Sequence, residues 1–187
     1  MRTILSALVT NEPGVLANVA GMFAARGFNI DSLVVGRTED PEMSRMTVVV
    51  EGDANVLAQV KEQLAKLVPV ARVRDLTGTA YVERDLMMLK VDAPPVCRNE
   101  IIELVNMFRG KVVDVAPDSM TIELSGREEK VEALVALLKD YGIRELTRTG
   151  VIAVSRGVQA EHAADPGESA KRPRSLDNKA SEALPPS

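Results

Sequence analysis

The chain has 187 residues, 45% hydrophobic and 27% charged, which suits one ordinary domain or two small ones and excludes a fibrous or wholly disordered chain. A formal charge of -4 and only three Phe, two Tyr and no Trp disfavour nucleic acid as a partner, because phosphate backbones call for excess Lys and Arg and single strands for stacked rings. A single cysteine, Cys97, excludes an internal disulfide and a Cys-rich metal site and suits a reducing compartment. The single histidine, His162, stands among Pro, Asp, Glu and Ser residues, where neither a general base nor a His-rich metal site is expected.

No apolar run approaches the roughly 18 to 20 residues of a bilayer span, so no membrane partner is expected and the localisation is read as cytoplasmic. Residues 3–10 form a short, nearly continuous apolar run. Asn11, Glu12 and Pro13 end it without a cleavage pattern, so it reads as a central strand covered by helices rather than a signal sequence. Pro13 then stands where the first residue of a helix can be Pro. Val15, Leu16, Val19, Met22 and Phe23 recur at helical spacing, and Gly27 closes that helix as a left-handed cap. Residues 30–38 and 45–51 read as strands joined by the polar turn Glu39-Asp40-Pro41-Glu42. Val56, Leu57, Val60, Leu64 and Leu67 make a second amphipathic helix, and residues 70–76 are rich enough in β-branched side chains for a fourth strand.

After a connector at residues 78–83 the same order returns. Residues 86–91 are a strand; Cys97, Ile101, Leu104, Val105 and Phe108 form a helical stripe in which Cys97 reads as core. Residues 111–115 and 120–124 form a hairpin through Ala116-Pro117-Asp118. Val131, Leu134, Val135, Leu138 and Tyr141 give the last stripe, followed by short strands at 143–146 and 151–154. The expected fold is α+β: two tandem ferredoxin-like βαββαβ modules, residues 1–77 and 84–157, each with helices on one face of an antiparallel sheet of strand order 4-1-3-2. Residues 158–187, broken by four prolines among Ala, Ser and mixed charge, bury too little apolar surface to offset their ordering entropy and read as a disordered tail. The second strand, Ile30-Asp31-Ser32-Leu33-Val34-Val35-Gly36-Arg37, lies at a sheet edge with no Pro or Lys to guard it, which predicts a homodimer joined there.

The most informative string is Asn11-Glu12-Pro13-Gly14-Val15-Leu16, where the first strand turns into the first helix. Helix N-termini present unpaired N–H groups, so the amides of Gly14 and Val15 can receive a carboxylate, and the missing side chain of Gly14 lets a ligand approach the backbone. The alternative is that Asn11 or Glu12 caps the helix and Gly14 only permits the turn. Asn29, between Gly27 and the edge strand, is either a second ligand group or a turn asparagine. The first two strands run parallel, so Asn29 and Asn11 fall at opposite ends of one sheet; an antiparallel partner edge would unite them in a site shared between subunits. Met87-Met88 reads as core filling and Arg127-Glu128-Glu129-Lys130 as a solvated first helical turn.

These strings, with Phe23-Ala24-Ala25-Arg26-Gly27-Phe28-Asn29-Ile30-Asp31-Ser32-Leu33 and Ser44-Arg45-Met46-Thr47, resemble the ACT domain of acetolactate synthase (acetohydroxyacid synthase) small, regulatory subunits. The resemblance continues through Val82-Glu83-Arg84, Phe108-Arg109-Gly110-Lys111-Val112-Val113-Asp114-Val115, Arg148-Thr149-Gly150-Val151 and Ser155-Arg156-Gly157. It implies a bacterial, non-catalytic subunit that activates a large catalytic subunit and transmits feedback inhibition by valine. Cofactors are expected in that partner alone: thiamine diphosphate, magnesium and FAD. The family's effector motif falls on Asn11, Gly14 and Val15 of one chain with Asn29 and Ile30 of the other. The second module has Ala93-Pro94-Pro95-Val96 at the equivalent turn and is not expected to bind an amino acid the same way. Arg109 and Lys111 are either ordinary surface or a contact to the catalytic subunit. With no nucleophile and base, phosphate loop or metal cluster in the sequence, enzymatic activity is not expected. The alternative function is a free-standing ACT-type sensor acting on another enzyme or on transcription.

Overall fold

A computed structural model describes residues 1–157; the tail read at 158–187, and His162 with it, lie outside the described residues. The first module runs β1 (Arg2–Thr10), α1 (Val15–Ala25), β2 (Ser32–Arg37), β3 (Met43–Glu51), α2 (Ala54–Lys66) and β4 (Val70–Asp75). The second runs β5 (Tyr81–Asp92), α3 (Arg98–Met107), β6 (Lys111–Val115), β7 (Ser119–Gly126), α4 (Glu128–Leu138), a 3-10 turn (Lys139–Tyr141), β8 (Ile143–Arg148) and β9 (Ile152–Ser155). Sheet orders β2-β3-β1-β4 and β6-β7-β5-β8 are the expected 4-1-3-2 order, once in each module. No helix among the described residues is long and apolar enough to cross a membrane.

Period explains the two cores. Leu5, Ala7 and Val9 of β1 alternate onto the helix side, where Val19 and Phe23 of α1 and Val60 and Leu64 of α2 cover them. The same relation holds Leu89 of β5 and Ile122 of β7 under Ile101 of α3 and Leu134 of α4. Each such buried aliphatic side chain stabilises the fold by about 1.5–3 kcal/mol relative to exposure. Asp53 starts α2 because its Oδ1 accepts the Val56 N–H at 2.8 Å, the usual carboxylate N-cap. Cys97, expected in the core, is half-buried at the N-cap of α3.

Several element boundaries read from the sequence need correction. Pro13 is not the first helical residue: it and Gly14 form a turn, and α1 starts at Val15. The second strand begins at Ser32 rather than residue 30, because ladder pairing with β3 starts only there, at Val49, one residue after the Asp31 N–H donates to the Val49 carbonyl at 3.0 Å. The connector placed at 78–83 is shorter, since Tyr81, Val82 and Glu83 open the 12-residue β5.

That first third of β5 has a partner the expected fold lacks. Tyr81–Arg84 pairs antiparallel with β9, while Asp85 onward pairs with β7. The β5–β9 pair lies on the face of the first sheet that the helices leave open: Val151 and Ala153 bury Ile4, Val49 and Leu76 there, with Tyr81 packed alongside. The nearly continuous burial of β1 thus comes from helices on one face and the second module's strands on the other, not from helices alone.

Charge closes the rim of this junction. Arg2, opening β1, meets Glu128 at 2.6 Å and the buried Glu83 at 3.6 Å, while Arg148 pairs with Glu128 and with Asp85, whose side chain is fully buried. Burial, the largest single influence, would lower the pKa of Arg2, but the surrounding charges of Glu128, Glu83 and Tyr81 with the Glu128 hydrogen bond together outweigh it and leave that pKa raised.

Candidate functional site

The turn after β1 is built by its neighbour hairpin. Asn11 N–H donates to the Glu42 carbonyl at 2.7 Å, its Nδ2 donates to the Pro41 carbonyl at 3.0 Å, and Ser44 Oγ donates to its Oδ1 at 3.2 Å. Asn11 therefore clamps the β2–β3 turn against the end of β1, and its exposed amide keeps one N–H and one lone pair for another partner. Spacing alone does not mark Pro41 and Ser44 as site-forming; Ser44 falls only within a string that carries the resemblance.

Gly14 follows with φ +87° and ψ -13°, a left-handed conformation that an L side chain adopts only with strain, and the space a Cβ would enter is open. Its carbonyl accepts the Asn18 N–H at 2.9 Å as the first helical bond, and Val15 N–H makes a long 3.4 Å contact to the Glu12 carbonyl. Among the described residues no side chain caps α1, so neither Asn11 nor Glu12 plays the capping role that stood as the alternative. The helix start, with its partial positive charge, faces outward beside Asn11. Val15 offers only its backbone, because its side chain is in the core.

Asn29 and Ile30 leave the other end of the same helix. Gly27, at φ +66°, turns the chain, Phe28 N–H bonds the Phe23 carbonyl at 3.0 Å, and the Phe23 and Phe28 rings meet edge to face at 6.4 Å. Asn29 is exposed, and Ile30 packs half-buried against the first core. Register separates the two pairs within one chain: Asn11 follows the Thr10–Met43 pair, whereas Asn29 precedes the Ser32–Val49 pair. Met43 and Val49 stand six residues apart along β3, about 20 Å of extended strand. One chain therefore supplies two half-sites at opposite sheet ends. Among the described residues β2 has a strand on one side only, so its outer edge is open to pairing.

A cleft of about 560 Å³ lies elsewhere, between the modules, lined by Arg2, Asp31, Ser32, Glu128, Arg148 and Gly150 among others. None of the five expected effector residues lines it, and its two arginines are already paired with carboxylates, which makes it a poor receptor for a further carboxylate.

Comparison with known proteins agrees with these two modules. A family model for the AHAS small subunit-like ACT domain matches residues 5–72, and one for the small subunit of acetolactate synthase matches residues 84–157. The probable acetolactate synthase small subunit of Methanothermobacter thermautotrophicus is 52% identical over 155 residues, covering 82% of this chain and 92% of that one. The acetolactate synthase small subunit of Haemophilus influenzae is 48% identical over 158 residues, 84% of this chain and 97% of its own. The crystal structure of the acetolactate synthase small subunit from Thermotoga maritima superposes with a TM-score of 0.77 at 40% identity, covering 84% of this chain and 98% of that one. With both halves matched and relatives near half-identical over almost their full length, the chain belongs to the family of acetolactate synthase small subunits, the regulatory and not the catalytic component of that enzyme.

Proposed function

We propose that this subunit binds and activates the large catalytic subunit of acetolactate synthase in the cytoplasm and carries feedback inhibition by valine. The effector site is shared across a homodimer joined at β2: Asn11 and the Gly14 and Val15 amides from one chain, Asn29 and Ile30 from the other. A two-fold antiparallel pairing of β2 edges brings the partner's Asn29 to the Asn11 end of the sheet.

The observation that carries this reading is the uncapped start of α1, where left-handed Gly14 leaves open space beside the exposed Asn11 amide. Hydrogen bonds to a charged carboxylate contribute about 1.5–3 kcal/mol, and burying an isopropyl side chain about 1.5–3 kcal/mol more, which suits a metabolite sensor of modest affinity. One additional methylene changes binding by only about 1–3 kcal/mol, so leucine and isoleucine compete at higher concentration. Thiamine diphosphate, magnesium and FAD belong in this reading to the catalytic subunit, and this chain contributes no reacting group. The acetolactate synthase relatives favour it over a free-standing sensor of another enzyme.

The test is reconstitution with the catalytic subunit from the same organism. Acetolactate formation should rise on adding this chain and fall again on adding valine. An unchanged rate on adding the chain overturns the activation, and a rate indifferent to valine overturns the sensing.

A further inference from the structure

The effector segment and the module junction share one stretch of chain. Asn29 and Ile30 lead through Asp31 directly into Ser32, the first residue of β2, and Ser32 Oγ accepts the N–H of Val151 at 3.0 Å across 119 residues of sequence. Val151 is buried, so that amide has no recourse to water. The neighbouring Gly150 is shaped to Ser32: at φ +85°, a Cβ on it would lie 2.6 Å from Ser32 Oγ and 3.0 Å from Val34 Cγ2. From there the second module is tied in rigidly. Thr149 N–H donates to the Leu86 carbonyl at 2.9 Å, Leu86 N–H donates to Thr149 Oγ1 at 3.1 Å, and Arg148 holds both the buried Asp85 and Glu128 at the start of α4.

We propose that Ser32, Gly150 and Val151 form a latch that transmits effector occupancy at Asn29 and Ile30 to the second module, with Ser32 and Gly150 as positioning residues that do not touch the effector. The inference rests on the valine reading above. A ligand that draws residues 29–30 toward a partner chain displaces Ser32. The hydrogen bond and the close Gly150 contact leave little freedom for that movement without carrying residues 148–151, and through them β5 and α4. Packed contacts of this kind respond as discrete rearrangements rather than by smooth deformation, which is what a switch between activating and inhibited forms requires.

The experiment uses the full chain with its catalytic subunit and measures valine binding by calorimetry beside valine inhibition of acetolactate formation. Ser32→Ala is expected to keep valine affinity within about threefold of wild type, and basal activation unchanged, while weakening inhibition at least about fivefold. Gly150→Ala, which crowds the same contact, should uncouple in the same way. Should either variant fail to fold, the other decides. Unaltered inhibition overturns the latch; inhibition lost only in step with binding places these residues in the effector site and overturns it equally. If the wild-type chain binds no valine, the sensing reading falls on its own and the latch is judged by hydrogen exchange. Ser32→Ala must then speed exchange at the Leu86 and Thr149 amides by at least about fivefold, and unchanged rates overturn it.

Discussion

At the scale of single residues, backbone rather than side-chain chemistry decides what the first turn can do. Gly14 sits in a left-handed conformation with nothing filling the volume a side chain would take. Replacing it with aspartate costs about 1–2 kcal/mol in backbone strain, which a folded module tolerates, yet sets a carboxylate where the effector's own is to bind. Gly14→Asp should therefore retain the fold, seen as an unchanged circular-dichroism spectrum, while calorimetry detects no valine binding. Undiminished binding would remove Gly14 from the site. Asn11 shows how far sequence carries such an argument. Its position between strand and helix singled it out, but a local sequence window does not contain Pro41 and Ser44, which hold its amide from a hairpin 30 residues away.

At the scale of elements, the edge strand β2 carries the assembly. Leu33 is half-buried against the helix-side core and Val35 exposed, so the strand presents an apolar flank without a guarding lysine. Val35→Lys should weaken the homodimer at least about tenfold, read as a dimer-to-monomer shift in sedimentation equilibrium. A dimer of undiminished stability would place the interface elsewhere. The elements themselves were readable because period carries them: alternation along β1, helical stripes on α1 to α4, and turn residues between. Their ends were less so. β2 starts two residues later than its apolar pattern because only β3 decides where pairing begins, and Pro13 lies outside α1 because left-handed Gly14 is the N-cap and the helix starts two residues later, at Val15.

At the scale of the molecule, the two modules share structure rather than merely follow one another. Ile4 and Val49 of the first sheet lie in one cluster with Val151 and Ala153. Ile4→Ala and Val151→Ala should each destabilise the chain, and in urea unfolding the double variant should depart from additivity by about 0.5–3 kcal/mol. Strict additivity would mean that the modules are energetically independent. By itself the sequence determined the two βαββαβ repeats and the family, because these rest on local periodicity, turn chemistry and contiguous strings, and the usual strand order of that fold then set β2 at an edge. Only the tertiary structure decided that β5 starts early to pair with β9, that this pair covers the second face of the first sheet, and that Ser32 meets Val151. The reason is physical: a strand's pattern states that a face is buried, and what buries it is fixed by chain segments more than 100 residues distant.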